Sequence, residues 1–287
     1  MPLHANDLSL ATNLYSHDTR FVLELIQNAE DSFSRDHSSS LAPYITFNIH
    51  RDKIVIDCNE TGFTEGDVQA ICSIGESSKK GTMGYVGEKG IGFKSVFKVA
   101  SRVHIQSGYF SFSFDNQADE DGLTGLGMVT PIPEPYETLP RTPLTRMSLY
   151  LSDQTSTEEL CNQFEELPDT VLVFLHQLKV VTLVFHDTAN GKKEVSYSYT
   201  EDTSAIAKLT KTTTLNGVCT KKETKLYHIN RSIAGGLPSD DARPRNETEI
   251  VLAFPLDQSY SPLLEPQYVY SFLPLRSVGF KVSMTSH

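Results

Sequence analysis

Apolar residues recur at helical spacing over residues 18–34, where Phe21, Val22, Leu25, Ile26, Ala29 and Phe33 cover most of the circumference. That arrangement predicts a largely buried helix. The same segment keeps Glu24, Asn28 and Asp31 at i, i+4 and i+7, stacked along one face. Burying two carboxylates and a carboxamide costs free energy unless each finds a partner, so the stripe marks a candidate site. A solvated, salt-bridged face is the alternative. Downstream the period falls to two: residues 44–50 and 53–58 alternate around Arg51-Asp52 and predict a hairpin. A short helix is expected over 67–74, and strands near 102–107, 109–115 and 145–151. Residues 157–178 read as a helical stretch interrupted by Pro168, and 180–186 should pair with 193–199 across Asn190-Gly191. Helices on one face of a mixed sheet make the expected fold α/β, a two-layer α/β sandwich. From about residue 190 the chain is strand-rich, so the expected division is a first domain over 1–187 and a β-rich extension over 188–287. Polar loops are expected at 115–127 and 235–246.

Between the first helix and the later strands lies Gly84-Tyr85-Val86-Gly87-Glu88-Lys89-Gly90-Ile91-Gly92-Phe93-Lys94-Ser95, followed by Val96-Phe97-Lys98-Val99-Ala100. Four glycines in nine residues let a ligand approach the backbone closely. The apolar run then opens into a helix, whose unpaired first amides favour an anion. The segment reads as a phosphate cradle, with a glycine-rich surface loop as the alternative. It is not a Walker A loop, because Phe93 stands where lysine should follow Gly92. It is not a Rossmann fingerprint either, because Gly90-Ile91-Gly92 lacks the third glycine.

Composition narrows the classes. The chain has 287 residues, enough to bury a sizeable core. Its net charge of −11 argues against a duplex nucleic-acid surface, which needs clustered lysine and arginine. Cys58, Cys72, Cys161 and Cys219 show no Cys-x-x-Cys spacing and read as reduced, buried thiols. The nine histidines are scattered and suggest no metal cluster. Residues 171–185 are apolar but broken by His176, Gln177 and Lys179, too short and polar to span a bilayer. The expected compartment is intracellular, cytoplasmic or nuclear.

Together the two segments resemble the GHKL ATPases, whose ATP-binding fold is the Bergerat fold. Glu24-Leu25-Ile26-Gln27-Asn28-Ala29-Glu30-Asp31 is similar to the family's N-box, and the stretch 87–95 is similar to its glycine box. Leu14-Tyr15-Ser16 before the N-box is chaperone-like. Within the family the likeness is nearest to the sacsin-type and NO VEIN-type proteins, on Cys58-Asn59-Glu60-Thr61-Gly62-Phe63, the run 87–97 and Phe272-Leu273-Pro274-Leu275-Arg276-Ser277. The likeness is strong over 8–100, fair to about 185 and thin beyond.

The resemblance implies a sandwich of the Bergerat type that binds ATP with Mg²⁺. Asn28 would give its side-chain oxygen to the metal, and Glu24 would act as general base on the attacking water. Asp31 would orient neighbours, and the amides of Gly87, Gly90, Ile91, Gly92 and Phe93 would hold phosphates, with Lys79, Lys80 or Lys94 adding charge. Thr145 resembles the threonine of the purine pocket. The adenine-reading box departs from the family pattern, since Cys58 stands at the usual aspartate and Glu60 at the first glycine beside Gly62. Asp57 recruited through a bulge, Asn59 or Glu60 in its place, or a water are the alternatives. The resemblance also implies a lid over 75–92, client or partner proteins and a nucleotide-dependent dimer. Residues 268–282 would open a second, transducer-like module with Arg276 as its basic candidate, which makes the chain an expected fragment or shortened product. Two functional classes stay open. One is a slow, chaperone-like ATPase; the other is a non-ATPase use of the fold, as a nucleotide-sensing interaction domain or an enzyme with a repurposed pocket.

Overall fold

The computed structural model describes residues 20–33, 42–72, 91–116, 130–137, 145–165, 167–236, 247–264, 267–271, 273–277 and 283–286. Helix α1 (Arg20–Phe33) carries the first apolar stripe, and Phe21, Val22, Leu25 and Ile26 are almost wholly buried. Strands β1 (Tyr44–Ile49) and β2 (Lys53–Cys58) form the expected hairpin, each alternating half-buried and buried residues. Helix α2 (Glu65–Cys72) follows. Thr64 and Asp67 cap its start reciprocally: Thr64 Oγ1 accepts from the Asp67 amide at 3.2 Å, and Asp67 Oδ2 accepts from the Thr64 amide at 2.9 Å. The glycine segment enters a short helix α3 (Ile91–Lys94) that tightens into a 3₁₀ turn over Ser95–Lys98.

Next come β3 (Ala100–Ser107), β4 (Phe110–Asp115), the two-residue β5 (Ile132–Pro133) and β6 (Thr145–Leu151). Helix α4 (Thr157–Glu165) stops before Pro168, as expected of a residue that cannot continue a helix, and a 3₁₀ turn spans Asp169–Phe174. The remaining elements are strands: β7 (Val180–Thr188), β8 (Gly191–Glu201), β9 (Ile206–Leu215), β10 (Val218–Ala234), β11 (Thr248–Leu256), β12 (Tyr268–Ser271), β13 (Leu273–Ser277) and β14 (Ser283–Ser286).

The architecture corrects the expected fold class. The fourteen strands of the described residues lie in one sheet, in the order β13-β12-β14-β11-β10-β9-β8-β7-β1-β2-β6-β3-β4-β5. It is mixed, with β1–β7 and β12–β14 parallel and the other pairs antiparallel. Among the described residues, four helices of 14, 8, 4 and 9 residues do not form a layer to match it, which overturns the expected two-layer α/β sandwich. The physical reason is that the strands after residue 180 extend the existing sheet edge. Strand β7 pairs in register with β1 from Tyr44↔Val180 to Ile49↔Phe185, and β8 to β11 continue from it. The division expected after residue 187 falls near the end of β7, whose ladder with β8 reaches Thr188↔Gly191. The core is likewise continuous, with Phe21, Phe47 and Phe164 packing ring to ring and Val195, Tyr197 and Leu209 in the same buried cluster.

Among the described residues no helix is long and apolar enough to cross a membrane. Cys58 is buried, Cys72 and Cys161 are half-buried and Cys219 is exposed, so the expectation of uniformly buried thiols holds for Cys58 alone.

Candidate functional site

The register of three strands makes a floor. Ile45 lies opposite Cys58, Cys58 opposite Thr145, and Ile56 opposite Met147, so these five side chains share one face. Helix α1 stands over that face and turns Leu25, Asn28, Ala29 and Ser32 towards it, while α2 contributes Asp67, Ala70 and Ile71. Phe63 and Phe93 close the sides, Phe93 being held edge-on by Phe97. The cleft between them is open on one side, and together with the open solvent at its mouth it spans about 710 Å³. Its lining is mostly apolar with a few convergent polar groups, the usual composition of a small-molecule site.

The polar groups form one hydrogen-bonded chain. The Phe63 amide donates to Ser107 Oγ at 2.8 Å, and Ser107 Oγ lies 2.5 Å from Thr145 Oγ1. Thr145 Oγ1 donates to Glu60 Oε1, and the Gly62 amide donates to Glu60 Oε2 at 3.0 Å. Thr145 Oγ1 has one proton and donates it to the Glu60 carboxylate, so in the Ser107–Thr145 hydrogen bond Ser107 is the donor. Glu60, 3% exposed, therefore faces the cavity as an acceptor. Gly62 makes this turn possible, since its φ of +88° is a left-handed conformation that favours glycine.

The adenine-box alternatives separate on this geometry. Asp57 points to the opposite sheet face and grips Arg146, with Oδ1 accepting from Nε at 2.6 Å and Oδ2 from Nη2 at 2.8 Å. Asn59 is committed to the chain before β1, accepting from the Tyr44 amide at 2.7 Å and donating to the Ala42 carbonyl at 3.1 Å. Of the four neighbours from Asp57 to Glu60, Cys58 and Glu60 line the cavity. Burial, then the Glu60 charge, push the Cys58 thiol well above the usual range, so it stays protonated.

Asn28 lines the cavity, whereas Glu24 and Asp31, half-buried on the same helix, do not. Ile91 and Gly92 begin α3, and Lys94 at its end is half-buried, its ammonium lowered by burial with Cys72 opposing. Lys79, Lys80, Gly87 and Gly90 lie outside the described residues, as does most of the 75–92 segment. Arg276 lies on β13, at the sheet edge farthest from β5 and eight strand positions from β1. At ~4.8 Å per strand it is far from the cavity.

Two contributors were not expected. Ser107 joins the hydroxyl chain because it pairs with Thr145 across β3 and β6, a register that no local pattern announces. Glu30 faces away from the cavity, and its carboxylate accepts from the amides of His176, Gln177 and Leu178 at 2.6, 2.9 and 2.8 Å. It ties α1 to the segment entering β7. Its place inside the N-box-like run, one residue before Asp31, was the available signal.

Comparison with known proteins agrees with the boxes. The Sacsin domain model matches residues 8–119. Protein NO VEIN of Arabidopsis thaliana is 31% identical over 296 residues, covering 95% of this chain. The chain carries a sacsin/NO VEIN-like domain. The resemblance to sacsin-type and NO VEIN-type proteins is thereby borne out. Chaperone protein HtpG of Chlorobium chlorochromatii (strain CaD3) is 29% identical over 125 residues, covering 34% of the sacsin-like chain. HtpG of Campylobacter jejuni (strain RM1221) is 30% identical over 119 residues, covering 33%. The sacsin-like chain spans 10% of the length of Protein NO VEIN and about a fifth of the length of the HtpG proteins.

Proposed function

We propose that this chain is a Mg²⁺-dependent ATP-binding module that hydrolyses its nucleotide slowly and works in a chaperone-like cycle. The observation that carries the reading is one cleft between α1, α2 and the sheet. It gathers Asn28 of α1, Glu60 after β2 and Thr145 of β6 beside Phe93 of α3. The likeness to proteins named as chaperones supports the class. The acceptor-only carboxylate of Glu60 suits the exocyclic amine of adenine, and the apolar walls from Ile45, Ile56 and Met147 suit its ring.

The donor set fits the metal. Among the described residues no group of three or more His, Cys, Asp or Glu could hold an ion, and Asn28 offers one hard oxygen. That suits a cation held mainly by phosphate oxygens and water, which when bound offsets the phosphate charge. Glu24, one turn before Asn28, takes the proton of the attacking water. On sequence grounds the amides from Gly87 to Phe93 would hold the phosphates, and a lid over 75–92 would exclude water. Turnover is slow because Arg276, the basic candidate of the second module, is remote from the cleft. A missing cation of this kind is worth ~10³–10⁵ in rate elsewhere.

Cys58 in the cleft, at the position of the family's adenine-reading aspartate, favours a second reading, a nucleotide-sensing interaction domain that binds without hydrolysis. Calorimetry and thermal melting with ATP, with and without Mg²⁺, test both. A bound nucleotide at one hundred times its Kd should stabilise the fold by about 2.7 kcal/mol. Glu60→Ala should weaken that gain. No heat and no melting shift at millimolar nucleotide would remove both readings, and binding without phosphate release would select the second.

A further inference from the structure

We propose that the outer edge of β10, from Val218 to Glu223, is a docking site for an acidic, extended polypeptide segment added as a further strand. The site is separate from the nucleotide cavity. Strand β10 is 17 residues long, but β11 pairs with it only from Leu226 to Ala234. The residues before Leu226 pair with β9, and no described strand lies on their other side. From Val218 to Glu223 both faces are exposed, so this part of the β9–β10 hairpin stands clear of the core.

The polarity of the free edge follows from one contact. Gln258 Nε2, on the loop after β11, donates to the Thr224 carbonyl at 3.3 Å, so Thr224 turns its backbone polar groups away from β9. In an antiparallel ladder these groups change side at every residue, so the N–H and C=O of Lys222 also face outward. An added strand can satisfy both.

Charge selects what is added. Over 191–194, 211–215 and 218–225 there are six lysines against two glutamates, in a chain of net charge −11. Lys221 sits opposite Thr213 and Lys222 opposite Thr212, so successive lysines project to opposite faces. Glu223 is matched by Lys221 at 3.0 Å. An incoming strand with acidic residues on both faces meets lysine on each, and opposite charges across strands contribute about 0.2–1 kcal/mol per pair. A second copy of this edge is disfavoured, because lysines would face lysines, the ordinary protection of a free edge. A nucleic-acid strand could take the lysines, but its phosphates have no N–H for the outward carbonyls. Main-chain pairing with side-chain selection is the general mode of strand addition.

The experiment uses the full chain and a short labelled peptide alternating glutamate with valine. A lysine–valine peptide and a single-stranded DNA oligonucleotide serve as comparisons. Anisotropy should report binding of the acidic peptide only, and hydrogen exchange of the unmodified protein should slow at the amides of Lys222 and Thr224. Lys222→Pro removes the outward N–H without breaking a bond to β9 and should weaken binding about tenfold more than Lys222→Gln. Absence of binding, or binding with unchanged exchange over 218–224, would overturn the proposal. So would an oligonucleotide that displaces the peptide while the proline and glutamine variants respond alike, which would mark a plain polyanion patch.

Discussion

Replacing Glu30 by alanine should loosen the joint between α1 and β7. The carboxylate, 6% exposed, takes three amides in succession from His176 to Leu178. A hydrogen bond to a charged group contributes about 1.5–3 kcal/mol, and an orphaned buried donor costs about 1–3 kcal/mol. The three bonds share one acceptor group and do not add fully. Water can also reach the amides of exposed His176 and half-buried Gln177, but not that of Leu178, which is fully buried. The expected loss is about 3–5 kcal/mol for Glu30→Ala and about 1–2 kcal/mol for Glu30→Gln, which keeps an acceptor oxygen without the charge. At ~2–4 °C per kcal/mol, the alanine variant should melt roughly 10 °C below the parent. Urea unfolding followed by circular dichroism gives the free energy directly. An alanine variant within 1 kcal/mol of the parent would refute the idea that this carboxylate holds the joint.

Three further outcomes follow from the same structure. Asn28→Ala should weaken nucleotide binding with Mg²⁺ present, whereas Glu24→Ala should bind normally and lose ~10²–10⁴-fold in hydrolysis, read by calorimetry beside phosphate release; equal hydrolysis by Glu24→Ala would remove its role as base. Burial, then the His50 ring stacked at 4.1 Å, lower the His186 pKa below its ordinary 6.5, so the unfolded chain binds the extra proton and stability falls as pH drops from 6.5 through the folded value. Lys192 adds to that lowering and Asp187 opposes it; His186→Gln should flatten the melting temperature between pH 7.5 and 5.5, and an unchanged slope would clear this histidine. Gly62→Ala should cost about 1–2 kcal/mol from its positive φ alone, because the added Cβ would meet only ordinary contacts near Gly108.

Much of the local structure was legible because it is written in local periods. The β1–β2 hairpin, the break at Pro168, the Asn190-Gly191 turn and the buried face of α1 all follow from neighbours in sequence. Alternation also placed Asp57 on the face opposite Cys58, where it meets Arg146. Glu60 was harder, because it lies beyond the end of β2, where the period of two no longer governs direction. Its aim is set by the bend at Gly62 and by Thr145, 85 residues away. The sheet was misread for a related reason. A period of two announces a strand but not its partner, and nothing in residues 44–49 signals pairing with 180–185.

Among the described strands, that parallel β1–β7 pairing joins the β2–β6–β3–β4–β5 side of the sheet to the run from β8 to β13. Its six-residue ladder, Tyr44↔Val180 to Ile49↔Phe185, has a mechanical consequence. Tension along the strands loads all of its hydrogen bonds in shear at once, whereas tension across them peels the bonds one after another. Within a longer polypeptide, the direction of pull on this segment would decide whether it behaves as a stiff link or as the place where the sheet unzips.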